Sequence, residues 1–346
     1  MKSIIRNLYK ILMGLLILLF NTSLIAQAPV TKIGINTLGF RTEKKTIIRW
    51  VLDDAKQWRY AIKKGFNIER AEGTSNKFIQ LNKNVILPIS AAQLSKYDSN
   101  SFVFEAMSFL LTGPKNEASR GEEDNKFYSV YFLRSSYETE AAVQSASAFV
   151  DTTIEKGKSY TYRVKIADTK VAQTLRKTII GAEISLLPKS PNLNAIFGDR
   201  IAKFNWSIKD VGDFYFATIL ERSTDSLEFK RLGSPYVKIL DKGESSEDAI
   251  TLKTTDSIPN KIKFFYRLKG IHFSGLYGEP SNVVSGFGVP NLDSSQLSKS
   301  LESTKKSMTT IASTLPKSHN KMADRFEMDQ SKMIYIFFNK LDKINK

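Results

Sequence analysis

Along most of this chain apolar and polar residues alternate with a period of two, the mark of strands that bury one face. Phe66 and Ile68 fall on one side of such a segment, Asn67 and Glu69 on the other. Residues 29–45 predict an opening strand, with Ile33, Ile35 and Leu38 set among polar positions. The β-branched run Thr46-Ile47-Ile48-Arg49-Trp50 predicts another. Residues 53–64, with Asp53, Asp54, Lys56, Lys63 and Lys64, read as a connecting loop, and Lys77 to Leu81 as a short strand after a turn at Glu72-Gly73.

From about residue 84 to 149 the period changes to that of helices. Phe102, Phe104, Ala106, Phe109 and Leu110 crowd into one segment that Gly113-Pro114 stops. Lys115 to Asn125 reads as a charged loop. Phe127, Val130, Tyr131 and Arg134 fit one helical face, and Thr139 before Glu140 predicts a helix start, with an Ala/Ser-rich helix running on to Ala148. Strands resume at Asp151 to Ile154, then at Ser159 to Ile166 after a turn at Glu155 to Lys158, and near Thr178 to Leu187. Pro188 and Pro191 mark a boundary, since proline cannot continue a ladder.

Beyond that boundary the first pattern returns. Trp50, then Gly65 to Arg70, Phe78 and Tyr160-Thr161-Tyr162-Arg163-Val164 are matched in order. Their counterparts are Trp206, Ile219-Leu220-Glu221-Arg222, Phe229 and Phe264-Phe265-Tyr266-Arg267-Leu268. Trp50 and Trp206 lie 156 residues apart but Tyr162 and Tyr266 only 104, so the first copy holds about 52 residues more, which the helical segment accounts for. The two tryptophans read as core residues of their copies.

These residues resemble the fibronectin type III module, a β-sandwich of the immunoglobulin-like class. The second copy carries the clearer likeness, down to Tyr277-Gly278-Glu279-Pro280-Ser281-Asn282-Val283 at its last loop and strand. The first matches through Trp50, Gly65 to Arg70, Asp151-Thr152-Thr153, Gly157, Tyr160 and Tyr162, and departs from the module by its helical insertion. The resemblance implies a mainly β chain of tandem sandwiches: 29–187 with the insertion at about 84–149, then 192–289. It further implies adhesion, spacing or scaffolding rather than an activity. Tyr160 and Phe264 occupy the corner position, where a phenol can bond backbone and a phenyl cannot.

The ends differ. Lys2, Arg6 and Lys10 precede an apolar run from Ile11 to Phe20, and Ala26-Gln27-Ala28 supplies a small-x-small cleavage pattern, so residues 1–28 read as a signal peptide. No later segment resembles a transmembrane helix. The chain has no cysteine, hence no disulfides and no lipid-attachment cysteine. Together these predict a secreted, cell-surface or periplasmic bacterial protein. Residues 290–346 read as a disordered or disrupted tail. Its apolar run Met333 to Phe338 is either a short docking element or a sign of truncation from a longer multi-module protein.

Chemistry narrows little further. The net charge of +16 comes from scattered lysines and reads as a solvated surface, with anionic glycans or membrane surfaces as the functional alternative. Export and the lack of a motif argue against nucleic acid. Two histidines, His272 and His319, have no spaced partners for a zinc site or a triad. Glu122, Glu123 and Asp124 are adjacent rather than alternately spaced, unlike a calcium loop, and Asp53-Asp54 is no placed carboxylate pair. No catalytic residue, metal ligand or cofactor is implied. The candidate binding residues are the aromatics of the insertion, Phe127, Tyr128, Tyr131 and Tyr137, with Phe132 beside them. They either line a groove for a glycan or peptide, or form the face that docks the helices on the sandwich. The expected function is non-enzymatic binding or scaffolding at the bacterial surface or envelope through protein–protein adhesion, with an envelope or extracellular protein as partner. The alternatives are carbohydrate binding and an accessory part of a polysaccharide-processing enzyme.

Overall fold

The structure, a computed structural model, describes residues 32–113, 121–237 and 251–290, together with residue 302. The predicted signal peptide, nearly all of the tail and part of the Lys115–Asn125 stretch lie outside the described residues. The strands and helices fall almost wholly in one compact unit, 1–197 with 201–288; residues 198–200 and 289–346 make a second.

The chain is mainly β, built as two pairs of sheets. In the first pair, β1 (Lys32–Arg41), β2 (Thr46–Leu52), β5 (Ala148–Asp151) and β7 (Ala172–Leu175) form one sheet in the order β5-β2-β1-β7. Against it lies β4-β3-β6-β8, from β3 (Phe66–Glu72), β4 (Ile79–Gln80), β6 (Tyr160–Ile166) and β8 (Thr178–Ile180). In the second pair, β9 (Asn194–Gly198), β10 (Ile201–Ser207) and β14 (Thr251–Ser257) run β14-β10-β9. Its facing sheet is β12-β11-β15-β16, from β11 (Ala217–Ser223), β12 (Lys230–Arg231), β15 (Lys263–Ile271) and β16 (Val284–Phe287), with β13 (Tyr236–Val237) also on β11. Each pair is a β-sandwich whose strands alternate inward and outward. Trp50 and Trp206 are buried in separate cores, the first with Phe66, Ile68 and Tyr162, the second with Phe204, Leu220 and Tyr266. The indole N–H of Trp206 donates to Thr218 Oγ1 at 3.1 Å.

The helices come mostly where the period changes. Between β4 and β5 lie α2 (Ala91–Leu94), α3 (Phe102–Thr112), α4 (Gly121–Ser135) and α5 (Thr139–Gln144). The helix predicted up to Ala148 stops at Gln144, because Ala148 already begins β5 and pairs with Arg49. Two loop readings are corrected: residues 53–64 contain α1 (Ala55–Lys64), and residues 121–125 of the expected charged loop Lys115–Asn125 already belong to α4. Asp54 caps α1 by accepting from Gln57 N, and Ala55, Trp58 and Ala61 form its buried stripe. The charges at Lys56, Lys63 and Lys64 belong to its outer side and hid that stripe.

The repeated Glu-Arg and Tyr-Arg pairs have one structural explanation, realised twice. Arg70 Nη1 and the hydroxyl of Tyr162 both donate to Asp151 Oδ2 at 2.7 Å. Arg222 Nη1 at 3.0 Å and the hydroxyl of Tyr266 at 2.7 Å do the same to Asp256 Oδ2. Each aspartate sits on one sheet and its partners on the other, so a charge-assisted cluster ties the sheets together at the rim of the core. On the outer face Glu69 opposes Arg163 and Glu221 opposes Arg267 in register, each glutamate bonding its arginine and a lysine, Lys165 or Lys269. The arginines cover Phe78 at 3.9 Å and Phe229 at 4.0 Å from the ring centres, the phenylalanines that stand just before β4 and β12.

Burial opposes ionisation of Asp151, but bonds from Thr153, Tyr162 and Arg70 outweigh it and hold its carboxyl below the usual range. Replacing Asp151 with Ala leaves Arg70 and Tyr162 without their acceptor and is expected to cost about 3 kcal/mol, read as a lower urea midpoint at unchanged m. Asp256→Ala is expected to cost roughly half as much, because Arg222 is more open to water than Arg70.

Candidate functional site

The four aromatic residues singled out in the sequence do not converge on one groove. Tyr128 is 2% exposed, Tyr131 1% and Tyr137 7%, while Phe127 is half-buried. Tyr128 stacks on Trp58 with ring centres 5.0 Å apart, and its hydroxyl accepts from Leu52 N and donates to Leu52 O, finishing β2. The Tyr131 hydroxyl donates to Ser145 O at 2.7 Å. Phe127 stacks on Phe109 at 4.5 Å. These three dock α1 and α4 on the first core, with Phe132 beside Tyr128. Burial raises the phenols of Tyr128 and Tyr131 and pushes that of Tyr137 up to about 12. None of these three tyrosines presents a free ring face on which a sugar could stack.

Tyr137 belongs to a different cluster. With Leu94, Phe102, Val103, Met107 and Ala141 it packs against Phe216, Ala217, Ile219 and Ile271 of the second sandwich. Its ring lies parallel to that of Phe216, 6.1 Å between centres. Ala217, Ile219 and Ile271 sit on the outer side of β11 and β15, so α2, α3 and α5 cover a sheet face that water would otherwise meet. Polar contacts align the parts. Arg231 bonds Asn100 O at 2.6 Å and pairs with Glu105, its guanidinium 4.2 Å from the Phe102 ring. The Tyr277 hydroxyl donates to Tyr137 O at 2.9 Å, and Thr139 N donates to Gly275 O at 3.1 Å. Gly275 has φ +78, and a Cβ there would lie 2.2 Å from Thr139 N, so glycine is required by both backbone and space.

A second contact between the sandwiches involves a residue left unassigned in the sequence. The His272 ring lies 4.6 Å from Phe40 of β1, and its Nδ1 accepts from Ser274 N at 3.1 Å, which places the proton of the neutral ring on Nε2. Burial, then the nearby positive charge of Arg49, lowers its pKa to about 4. Arg49 is itself buried, donating to Ser136 Oγ at 2.9 Å and Ser135 O at 3.3 Å and lying 5.2 Å from the Phe132 ring. Burial lowers its pKa to about 9. A sequence signal for this corner was absent: neither residue stands in a motif.

Other candidates among the described residues have structural partners, while the Glu122 side chain and His319 lie outside the described residues. Asp124 pairs with Arg59 at 2.6 Å and the Asn125 side chain accepts from Ala55 N, both holding α4 to α1. Asp53 accepts from Asn36 Nδ2 at 2.8 Å and Asp54 caps α1. Among the described residues no group of three or more metal-ligating side chains converges, and no helix is long and apolar enough to cross a membrane. The Tyr160 hydroxyl accepts from Glu155 N at 3.0 Å, the backbone bond that Phe264 cannot make.

No protein-family profile matches the chain, and no curated protein matches it. Among solved structures it is similar to the FN1–FN3 domains of chicken CNTN1, at 10% identity and a TM-score of 0.29, covering 76% of this chain and 64% of that one. It is similar also to the chicken interferon gamma receptor alpha chain, at 10% identity and TM-score 0.23, covering 73% of this chain and 96% of that one. A third is a beta-1,2-glucanase from Parabacteroides distasonis, at 15% identity and TM-score 0.24, covering 68% of this chain and 26% of that one. Scores this low carry no argument.

Two outcomes are expected at the junction. Unfolded His272 titrates near the ordinary histidine value while the folded ring stays neutral to about pH 4. The unfolded chain therefore takes up the proton first. Its contribution to stability is full above the ordinary value and falls as pH drops toward 4, by up to about 3 kcal/mol. Comparing urea midpoints of the native chain and His272→Gln between pH 7 and 4.5 reads this as a slope that the variant lacks. Gly275→Ala is expected to pry α5 from the 272–277 loop, seen as a larger radius of gyration in small-angle scattering with strand content retained.

Proposed function

We propose that this chain is a non-enzymatic binding and scaffold protein of the bacterial cell surface or envelope. In this reading residues 29–187 and 192–289 are tandem fibronectin-III-like sandwiches, the first interrupted by a helical insertion, delivered by the leader at 1–28. One observation carries the proposal: the insertion buries an apolar face of the neighbouring sandwich. Modules joined by a linker alone swing freely, whereas a large apolar junction fixes their spacing and angle. A fixed pair of sandwiches presents loops and edges at a set distance, which is what a scaffold needs and what catalysis on a single site does not. The lack of a spaced histidine, cysteine or carboxylate group in the sequence supports the same side of the choice. The partner on this reading is an envelope or extracellular protein.

Crosslinking capture from the source's envelope fraction with the mature chain, read by mass spectrometry, tests it. A small reproducible set of envelope proteins is expected. Recovery no greater than that of an unrelated β-sandwich of matched charge would overturn the proposal.

A further inference from the structure

The turn His272 to Leu276, which follows β15, is held between the first sandwich and its helices. Its own backbone closes it, with Gly275 N donating to His272 O at 2.8 Å and His272 N to Leu276 O at 2.9 Å. On one side Phe40 of β1 lies against the His272 ring, 4.6 Å between centres. On the other Thr139, which opens α5, donates through N to Gly275 O at 3.1 Å and through Oγ1 to Ser274 O at 3.0 Å. Ser274 is buried in this grip. The turn also continues into the apolar junction through Ile271, Phe273 and Tyr277.

The imidazole suits this place only as a neutral acceptor. Its Nδ1 takes the N–H of Ser274 at 3.1 Å, and Ser274 Oγ stands 2.9 Å from the same atom. A proton on Nδ1 turns the acceptor into a donor. Ser274 Oγ can then accept it, but the buried Ser274 N–H loses its partner.

Among the described residues the charge that acts on the ring is Arg49 of β2, itself buried and positive. It is bonded to Ser135 O and Ser136 Oγ rather than to a carboxylate. Arg41 of β1 is turned to the carbonyls of Glu155 and Lys158. On the α5 side Glu138 stands just before Thr139, with Glu140 and Arg231 as its nearby charges. Burial, then Glu140, holds the Glu138 carboxyl above the usual range, so it loses its charge early as pH falls. An imidazolium at 272 would join Arg49 as a second cation at the junction, with no carboxylate to offset it.

We propose that the 272–276 turn is an acid-released latch: a proton on His272 expels the turn from between β1 and α5 and loosens the junction, with both sandwiches still folded. The released ring titrates at the ordinary histidine value and the held ring near 4, so acid favours release. Between pH 7 and 4.5 the ratio of released to held turn rises about 60-fold. The sandwiches outlast the latch. The chain's other histidine, His319, follows both, and the Asp151 carboxyl, held below the usual range, keeps its charge as the imidazole gains one. The scaffold reading concerns the junction at neutral pH, so either can fail alone.

Hydrogen exchange of the full mature chain at pH 7 and 4.5, corrected for the intrinsic rate, tests the inference. The reporters are the amides of Thr139 and Ser274, whose bonds break on release. Their protection is expected to fall about 60-fold further in the native chain than in His272→Gln. Glu138 is present in both chains and so drops out of the comparison. An equal fall in both chains overturns the inference. So does a loss of protection shared by β2, β6, β11 and β15, which means unfolding rather than release. Titration of His272 in the native chain by NMR keeps the test decisive if His272→Gln misfolds. A midpoint well below the ordinary histidine value is expected, and the ordinary value in the folded chain overturns the inference.

Discussion

An apolar sheet face cannot be left to water, and that requirement at β11 and β15 sets the rest of the architecture. Ala217, Ile219 and Ile271 point away from the core of their own sandwich, yet all are buried. Burial of such side chains is worth roughly 1.5–3 kcal/mol each for the larger ones. The cover comes from α2, α3 and α5, which the first sandwich supplies between β4 and β5. The extra residues of the first copy are therefore explained by a face of the second. At the matching outward positions of the first copy stand Gly65, Asn67 and Ala167, with Asn67 bonded to Asn82. Small or polar residues suffice there, because no helical cover is required.

The aspartate clusters act one level lower, within each sandwich. A β-sandwich held by apolar packing alone permits its sheets to slide in register, because side chains of similar size exchange places at little cost. A carboxylate that accepts from an arginine and a tyrosine of the facing sheet does not slide, since any shift leaves the buried aspartate and tyrosine unpaired. That both copies retain the same arrangement, Arg70–Asp151–Tyr162 and Arg222–Asp256–Tyr266, with aspartate and tyrosine 11 and 10 positions apart, makes register rather than recognition its role.

How much of this was legible follows from where the signals lay. Strand period and the ordered Trp, Glu-Arg and Tyr-Arg landmarks were strong enough to show a mainly β chain and to point to several of its strands. The partners of those landmarks, Asp151 and Asp256, were not legible, because an aspartate on a neighbouring strand has no fixed sequence offset from its arginine. Helix α1 was lost because its short stripe of Ala55, Trp58 and Ala61 is set among five charged or amide residues, Lys56, Gln57, Arg59, Lys63 and Lys64. The aromatics of α4 left a groove open beside the docking face that an amphipathic stripe favours. Choosing between them needed the position of Trp58, which lies in the helix that was missed. A signal for the junction did exist: β11 reads Ala-Thr-Ile-Leu, apolar on both sides, which a strand with one wet face does not require.

Once the aromatics are spent on packing, surface available for recognition must be of another kind. The rings of a docked helix are committed, and freeing one for a ligand would open the core that it closes. Strand edges carry no such conflict: their outward N–H and C=O groups contribute nothing to the sandwich that bears them and are complete only when another strand arrives. A rigid junction increases their value, since an edge held at a fixed angle to a second sandwich loses less freedom on pairing than one on a swinging module. The helical segment thus forfeits its own aromatic surface to packing, and by covering β11 and β15 it gives the second sandwich a fixed neighbour.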